Sequence, residues 1–404
     1  MIRNNPSLIL YAGDNELGLG SRPMENWSCK NMQATITAPL VKSLDPSRVF
    51  RPTSPFGGDP NNSLLAGDNH TNVEYTDEMR SGDMRNYRTL IDTICSARYM
   101  SEHGAAGAPP KRSLLKFMTE NDLSDNSMWE FHTKDNPCAP PGHLTLFQVV
   151  ERESGILYGD PGNNIDRRIK QMEYVQYDFV RLAMEASRRR MFYTSGIQFW
   201  MFNDCWPASG WSMVDYFGNR KAAWYAAAAG SRPVIAASEK ISKSLKWWIC
   251  NDVHKQMVVD VEIKVQPVSG DLVLLKKITI TVPANSSTAA YEMSTEGIQK
   301  EYGKNAIIVC DIVYENGSDR SWWSDGLPRE MPLKKANLIV TRKGTKYEGE
   351  VTIHTDNWAR VVTLDADVDF SDNYFEMLPG ETKFIKWKSL QPFSGDIKID
   401  CWNE

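Results

Sequence analysis

Residues 196–218 read GIQFWMFNDCWPASGWSMVDYFG, and the reading of the whole chain turns on them. Gly196 to Phe202 is a short apolar run after a long helical segment, the pattern of a buried strand that follows a crossover helix. At its end the chain changes to Asn203, Asp204, Cys205, Trp206 and Pro207. In a parallel α/β barrel the carboxyl ends of the strands carry the chemistry. Trp200, Trp206 and Trp211, close to carboxamide and carboxylate groups, suit a sugar, whose C–H faces stack on rings while its hydroxyls need hydrogen bonds. Composition alone leaves that reading level with a plain aromatic core and lid.

Upstream, the apolar run Pro6 to Ala12 ends in Gly13-Asp14-Asn15-Glu16, and Arg48 to Phe50 ends in Arg51-Pro52. A weaker run at Leu64 to Gly67 leads into Asp68-Asn69-His70, and Ala97 to Met100 leads into Ser101-Glu102-His103-Gly104. Each reads as a strand with a polar tip. Helices are predicted at Met32–Leu44, through Leu90 and Ile94, near Arg112–Met118, and over Lys221–Ala229. The longest, Asp166–Met191, carries Ile169, Met172, Val175, Phe179, Leu182, Ala183 and Ala186 on one face, which predicts packing on a sheet. The rest of 105–165 reads as irregular. Past Arg232-Pro233 the helical period gives way to short β-type runs with turn residues between them, first over 246–314 and again over 337–401. That pattern predicts two β-sandwiches, with boundaries near 232 and 331.

The 404 residues are too many for one core. A net charge of −5 gives no basic footprint for nucleic acid, and no run of about 18 apolar residues predicts a membrane span. No signal-peptide pattern follows Met1, and the sequence assigns no compartment. Seven scattered cysteines without CxxC spacing read as free thiols, so neither a structural metal nor a cofactor is expected. The 13 tryptophans lean toward carbohydrate.

Glu16 and Glu102 both stand at strand tips. Glycosidic bond hydrolysis needs such a pair, one as general acid/base and one as nucleophile or water activator. Asn15 is placed to hold a substrate hydroxyl. With 51 Asp and Glu in the chain, the pairing means something only if the two tips face one pocket.

Taken in order, NPSLILYAGDNE (5–16), SEHG (101–104) and FWMFNDCWPASGWSMVDYFG (199–218) resemble the barrel of glycoside hydrolase family 2, and within it the β-mannosidase branch. Gly67-Asp68-Asn69-His70 is similar to that branch's GD-x-H element, and FSDNYFEMLPGE (370–381) to its last immunoglobulin-like domain. The resemblance covers almost the whole chain. The fold it implies is α/β plus all-β. Residues 1–232 would form the C-terminal portion of a TIM (β/α)8 barrel, strands four to eight. Immunoglobulin-like β-sandwiches would follow at 233–331 and 332–404.

The activity it implies is that of a retaining, β-mannosidase-like exo-β-glycosidase acting on terminal β-linked sugars by double displacement. Glu16 would be acid/base on strand four and Glu102 nucleophile on strand seven. Trp200 would floor the sugar site, Asn203, Asp204 and Trp206 would shape its rim, Asn15 would hold a sugar hydroxyl, and His70 would contact the sugar or the nucleophile or else be a satisfied structural histidine. Arg51 and Asp215 read as structural.

The chain departs from the family pattern in places. It has GDNE where GNNE is usual, and His103 where an aromatic residue usually follows the nucleophile. The segment AAGAPPKRSLLKFM (105–118) is similar to the exo-β-glucosaminidase branch. Specificity is therefore open among β-mannoside, β-glucosaminide and β-galactoside. The family's jelly-roll, its next sandwich and its first three barrel strands would precede strand four. The chain thus reads as N-terminally truncated, its partners a glycoside or oligosaccharide substrate and a missing N-terminal half or complementing subunit. The competing reading is an inactive fragment or partner subunit with a carbohydrate-binding role.

Overall fold

Five parallel strands open the chain: β1 (Leu10–Asn15), β2 (Val49–Ser54), β3 (Asn69–Asn72), β4 (Met100–Gly104) and β5 (Ile197–Phe199). The computed structural model describes residues 2–16, 32–58, 61–133 and 144–404. β1 pairs with β2, and β3, β4 and β5 form a second sheet in that order. Between the strands run α1 (Ala38–Leu44), α2 (Asp77–Ser81), α3 (Tyr87–Ile94), α4 (Lys111–Leu114), α5 (Asn126–His132), α6 (Leu146–Tyr158) and α7 (Ile165–Arg189), with α8 (Ala222–Gly230) after β5.

Several sequence expectations shift here. The apolar run Leu64 to Gly67 forms no strand, and pairing begins at the polar Asn69. The Asn62 side chain brackets His70, accepting its N–H at 2.6 Å and donating to its carbonyl at 3.0 Å, as a neighbouring strand would. β5 is shorter than the 196–202 run and stops at Phe199. The stretch expected to be irregular holds α5 and α6. A capping box opens α6, with the Thr145 side chain and Gln148 satisfying each other's backbone donors.

α7 departs further from its prediction. Its apolar face packs in the core with Met100, Tyr87 and Ala226, but its polar face is buried too. Arg181 pairs with Asp319 at 2.6 Å, Tyr374 reaches Glu173 at 3.2 Å, and Arg360 holds Asp178 at 2.9 Å. The helix therefore serves as the common core of three packed bodies. At the chain's exit from this region Arg188 donates to the carbonyls of Gly230, Arg232, Pro233 and Cys250.

The β-rich remainder begins with β6 (Val234–Ile241), β7 (Ser244–Asn251), β8 (Met257–Gln266), β9 (Val273–Val282), β10 (Ser286–Ser294), α9 (Thr295–Tyr302), β11 (Ile307–Tyr314) and β12 (Gly317–Trp323). These form sheets ordered β10-β7-β6 and β12-β11-β8-β9 around the buried Trp247. Then come β13 (Leu338–Gly344), β14 (Glu348–Thr355), β15 (Ala359–Asp365), β16 (Asp369–Phe370), β17 (Phe375–Met377), β18 (Thr382–Lys388) and β19 (Lys398–Asp400). Their sheets, β13-β14-β18-β16 and β17-β15-β19, enclose Trp387. Alternation of buried and exposed residues along β8 is what two facing sheets require. Among the described residues no helix is long and apolar enough to cross a membrane.

Candidate active site

Glu16 sits just past β1 with φ 57°, a left-handed backbone that residues with a Cβ seldom adopt. Its N–H donates to Ser54 O at 2.7 Å, which extends the β1–β2 ladder by one step and aims the side chain off the strand end. Glu102 lies within β4, where His70 of β3 is its register partner. The His70 ring stands between the two acids, with Nδ1 2.9 Å from Glu16 Oε1 and 3.5 Å from Glu102 Oε2. The imidazole nitrogen and one oxygen of each carboxylate all lie within 4.8 Å of one another. Among the described residues this is the one group of three or more His, Cys, Asp or Glu that converges so closely. His70 Nδ1 and Glu16 Oε1 stand at hydrogen-bond distance, which suits a proton-sharing set.

Burial raises the Glu102 carboxyl above the usual range, and the Glu16 charge adds to this. His70 and a hydrogen bond from Asn72 act the other way. His103, next in sequence, is fully buried and pushed down to about 4 by that burial, so it is neutral at pH 7. It packs edge-on to Phe199 with centroids 5.9 Å apart, filling the place of an apolar aromatic. Gly104 is required by close approach. A Cβ there would lie 2.8 Å from the Trp211 ring and 2.3 Å from Asn72 Oδ1.

The other sequence candidates divide. Trp200 follows β5 with its N–H on His103 O at 2.8 Å and is 45% exposed, an accessible ring beside the β4 tip. Asn15 is exposed at the end of β1, and Asn203 is exposed with its amide on Asp204 O at 3.0 Å. Asp204 does not face the rim: it is 3% exposed and accepts the Ser212 hydroxyl at 2.5 Å, inside the loop. Trp206 stacks on His132 at 5.6 Å, with Phe131 edge-on to it at 6.1 Å. Phe131, 68% exposed, extends this aromatic surface and was missed because its segment read as irregular. Ser54, Asp68 and Ser101 were also missed as site residues: the serines carry no spacing signal, and Asp68 stood in the GD-x-H resemblance without a role of its own. Behind the site lies Glu74, buried and pushed up to about 7 by burial, accepting N–H bonds from Ala106 and Trp211.

Residues 243–321 match the family described as Mannosidase Ig/CBM-like domain, and residues 333–401 one described as Ig-fold domain. β-Mannosidase B of Aspergillus clavatus is 22% identical over 98% of this chain and 50% of its own length. The chain is similar to β-mannosidases. It is similar to the C-terminal part of glycoside hydrolase family 2 enzymes of that branch. The fold agrees. The β-D-mannosidase of Dictyoglomus thermophilum superposes on all of this chain and 49% of its own, with TM-score 0.84 and 23% identity. The exo-chitosanase of Amycolatopsis orientalis does so with TM-score 0.66 and 16% identity, over all of this chain and 51% of its own. The chain spans about half the length of these relatives.

Proposed function

We propose that this chain carries the two catalytic carboxylates of a retaining, β-mannosidase-like exo-β-glycosidase. One observation carries the reading: Glu16 and Glu102, from different strand tips, meet at one imidazole with one oxygen of each within 4.8 Å of the other. Retaining glycosidases hold their carboxyls about 5–5.5 Å apart, whereas inverting ones leave roughly 6.5–9.5 Å for a water. An approach of one oxygen from each acid within 4.8 Å lies nearer the retaining spacing, and retention is the reading adopted. Glu102, the more enclosed acid, attacks the anomeric carbon and forms a glycosyl ester. Glu16, the more open one, protonates the leaving oxygen and later takes the proton of the incoming water. The Trp200 ring supports the apolar face of the sugar, and the Trp206–Phe131 surface receives what is attached to it. In this reading β1 to β5 are barrel strands four to eight, with domain limits near 232 and 331, and the free edges of β1 and β5 are where further strands belong.

The second reading keeps the reaction and changes the sugar to a β-glucosaminide, supported by the segment 105–118 and by the likeness to an exo-chitosanase. The test is hydrolysis of aryl β-mannoside, β-glucosaminide and β-galactoside. It is run on the chain alone and on the chain joined to a segment equivalent to the other half of the relatives. Mannoside turnover that Glu102→Ala abolishes and azide restores is the expected result. Turnover indifferent to Glu102→Ala would sink the assignment, and no turnover in either form would favour a carbohydrate-binding role.

A further inference from the structure

The side of His70 turned away from the two glutamates is as closely organised as the side facing them. Its Nε2 lies 3.0 Å from Ser54 Oγ. Ser54 Oγ lies 2.6 Å from Asp68 Oδ2, and Ser101 Oγ reaches the same oxygen at 2.6 Å, the two hydroxyls being 3.0 Å apart. Asp68 Oδ1 accepts the Phe56 N–H at 2.7 Å, which fixes the carboxylate in the turn after β2. Ser54 also accepts the Glu16 N–H on its own carbonyl, so one residue holds both the acid's backbone and the imidazole's far nitrogen.

The hydrogen count follows. A carboxylate only accepts, and a serine hydroxyl has one proton to give. Two hydroxyls at 2.6 Å from one carboxylate oxygen must each spend that proton on it, since two lone pairs facing at such a distance would repel. Ser54 then has only acceptor capacity left for His70, so His70 Nε2 bears a hydrogen. Nδ1 is left as the atom that shares a single proton with Glu16 at 2.9 Å. That proton lies on the line between Nδ1 and Glu16 Oε1 and can pass from one to the other, because the ring keeps its other hydrogen on Nε2. The opposite tautomer, with hydrogen on Nδ1 alone, could not pass that proton to Glu16 without leaving the ring with none.

We propose that Asp68, acting through Ser54 and assisted by Ser101, is a positioning relay that sets the His70 tautomer, with hydrogen on Nε2, and so leaves Nδ1 to share the acid/base proton with Glu16. The effect on turnover rests on the glycosidase reading, but the tautomer does not. The charged and titratable groups around the ring are Glu16, Glu102 and, through Ser54, Asp68, whose charge together with burial raises the Tyr99 phenol.

Ring-nitrogen-15 NMR of the histidine-labelled chain tests the relay without substrate. There are six histidines, and His70→Gln assigns the signal. The expected spectrum has Nε2 protonated at neutral pH. In Asp68→Asn, whose amide can donate to Ser54, the expected shift is toward Nδ1–H. A neutral Nδ1–H ring in the unaltered chain overturns the proposal, as does an Asp68→Asn spectrum identical to the parent's. If Asp68→Asn does not fold, Ser54→Ala against Ser54→Thr takes its place: the threonine hydroxyl should preserve the tautomer and alanine should not, and equal spectra refute the relay. Where turnover is measurable, Asp68→Asn should slow poor leaving groups far more than activated ones and move the alkaline limb of the pH profile. A correct tautomer without hydrolysis would leave the relay standing and remove the glycosidase reading alone.

Discussion

Glu16 occupies a left-handed backbone because its amide completes the ladder to Ser54 while its side chain leaves the strand, and that geometry separates its role from that of Glu102. Glu16→Ala should therefore cost roughly 10²–10⁴-fold in kcat for poor leaving groups, the usual worth of a positioned proton donor, and little for activated aryl glycosides. Leaving-group series on the variant check this. Asp204 behaves otherwise. Its buried carboxylate is the acceptor of the Ser212 hydroxyl, so Asp204→Ala should lower stability by about 1–3 kcal/mol and leave KM unchanged once the fold is maintained. Denaturant unfolding alongside kinetics distinguishes that outcome from the sugar contact expected of it. The difference could not be read from FNDCW, because an acid at a strand tip looks the same whether it faces a ligand or turns under its own loop.

At the scale of elements, what was legible followed periodicity. The 3.6-residue repeat placed α7 within a few residues, and β-type runs placed most strands of the two sandwiches. What escaped was set by partners distant in sequence. β3 is polar and exists because β4 and the Asn62 amide complete its bonds. α6 was announced by the Thr145 to Gln148 capping box, a local signal hidden among prolines. α6 also buries Glu153, whose carboxyl burial raises well above the usual range, with the Glu74 charge adding to the shift. For acids whose folded pKa is raised, the proton is held more tightly by the native state. Their contribution is then complete below the unfolded value near 4.5 and is lost as pH rises through the raised one, about 7 for Glu74. Glu153→Gln should accordingly raise Tm at pH 8 relative to the parent and much less at pH 5, as calorimetry at the two pH values would reveal.

At the scale of the molecule, the last domain is tied to the first by Arg360. Its guanidinium is buried against Glu376 at 2.7 Å, Asp178 at 2.9 Å and the Tyr158 hydroxyl at 2.9 Å. Arg360→Met would leave two buried acids without their cation and should cost about 3–5 kcal/mol, visible as a lower denaturation midpoint. The opposite side is less covered. β1 is paired only with β2 among the described residues, and Ile9, Ile36, Leu40 and Val49 are exposed around it. Apolar surface beside a free strand edge invites association. The chain alone should self-associate with rising concentration, and Ile36→Lys with Leu40→Glu should reduce this in sedimentation runs.

The grip of Arg188 on four carbonyls at the exit from α8 has a consequence for time. A joint clasped in this way resists bending, which favours β-sandwiches held fixed beside the strand tips over a gate that swings across them. In the proposed reaction the slow event would then be the breaking of bonds at Glu16 and Glu102, not the opening of the molecule around them.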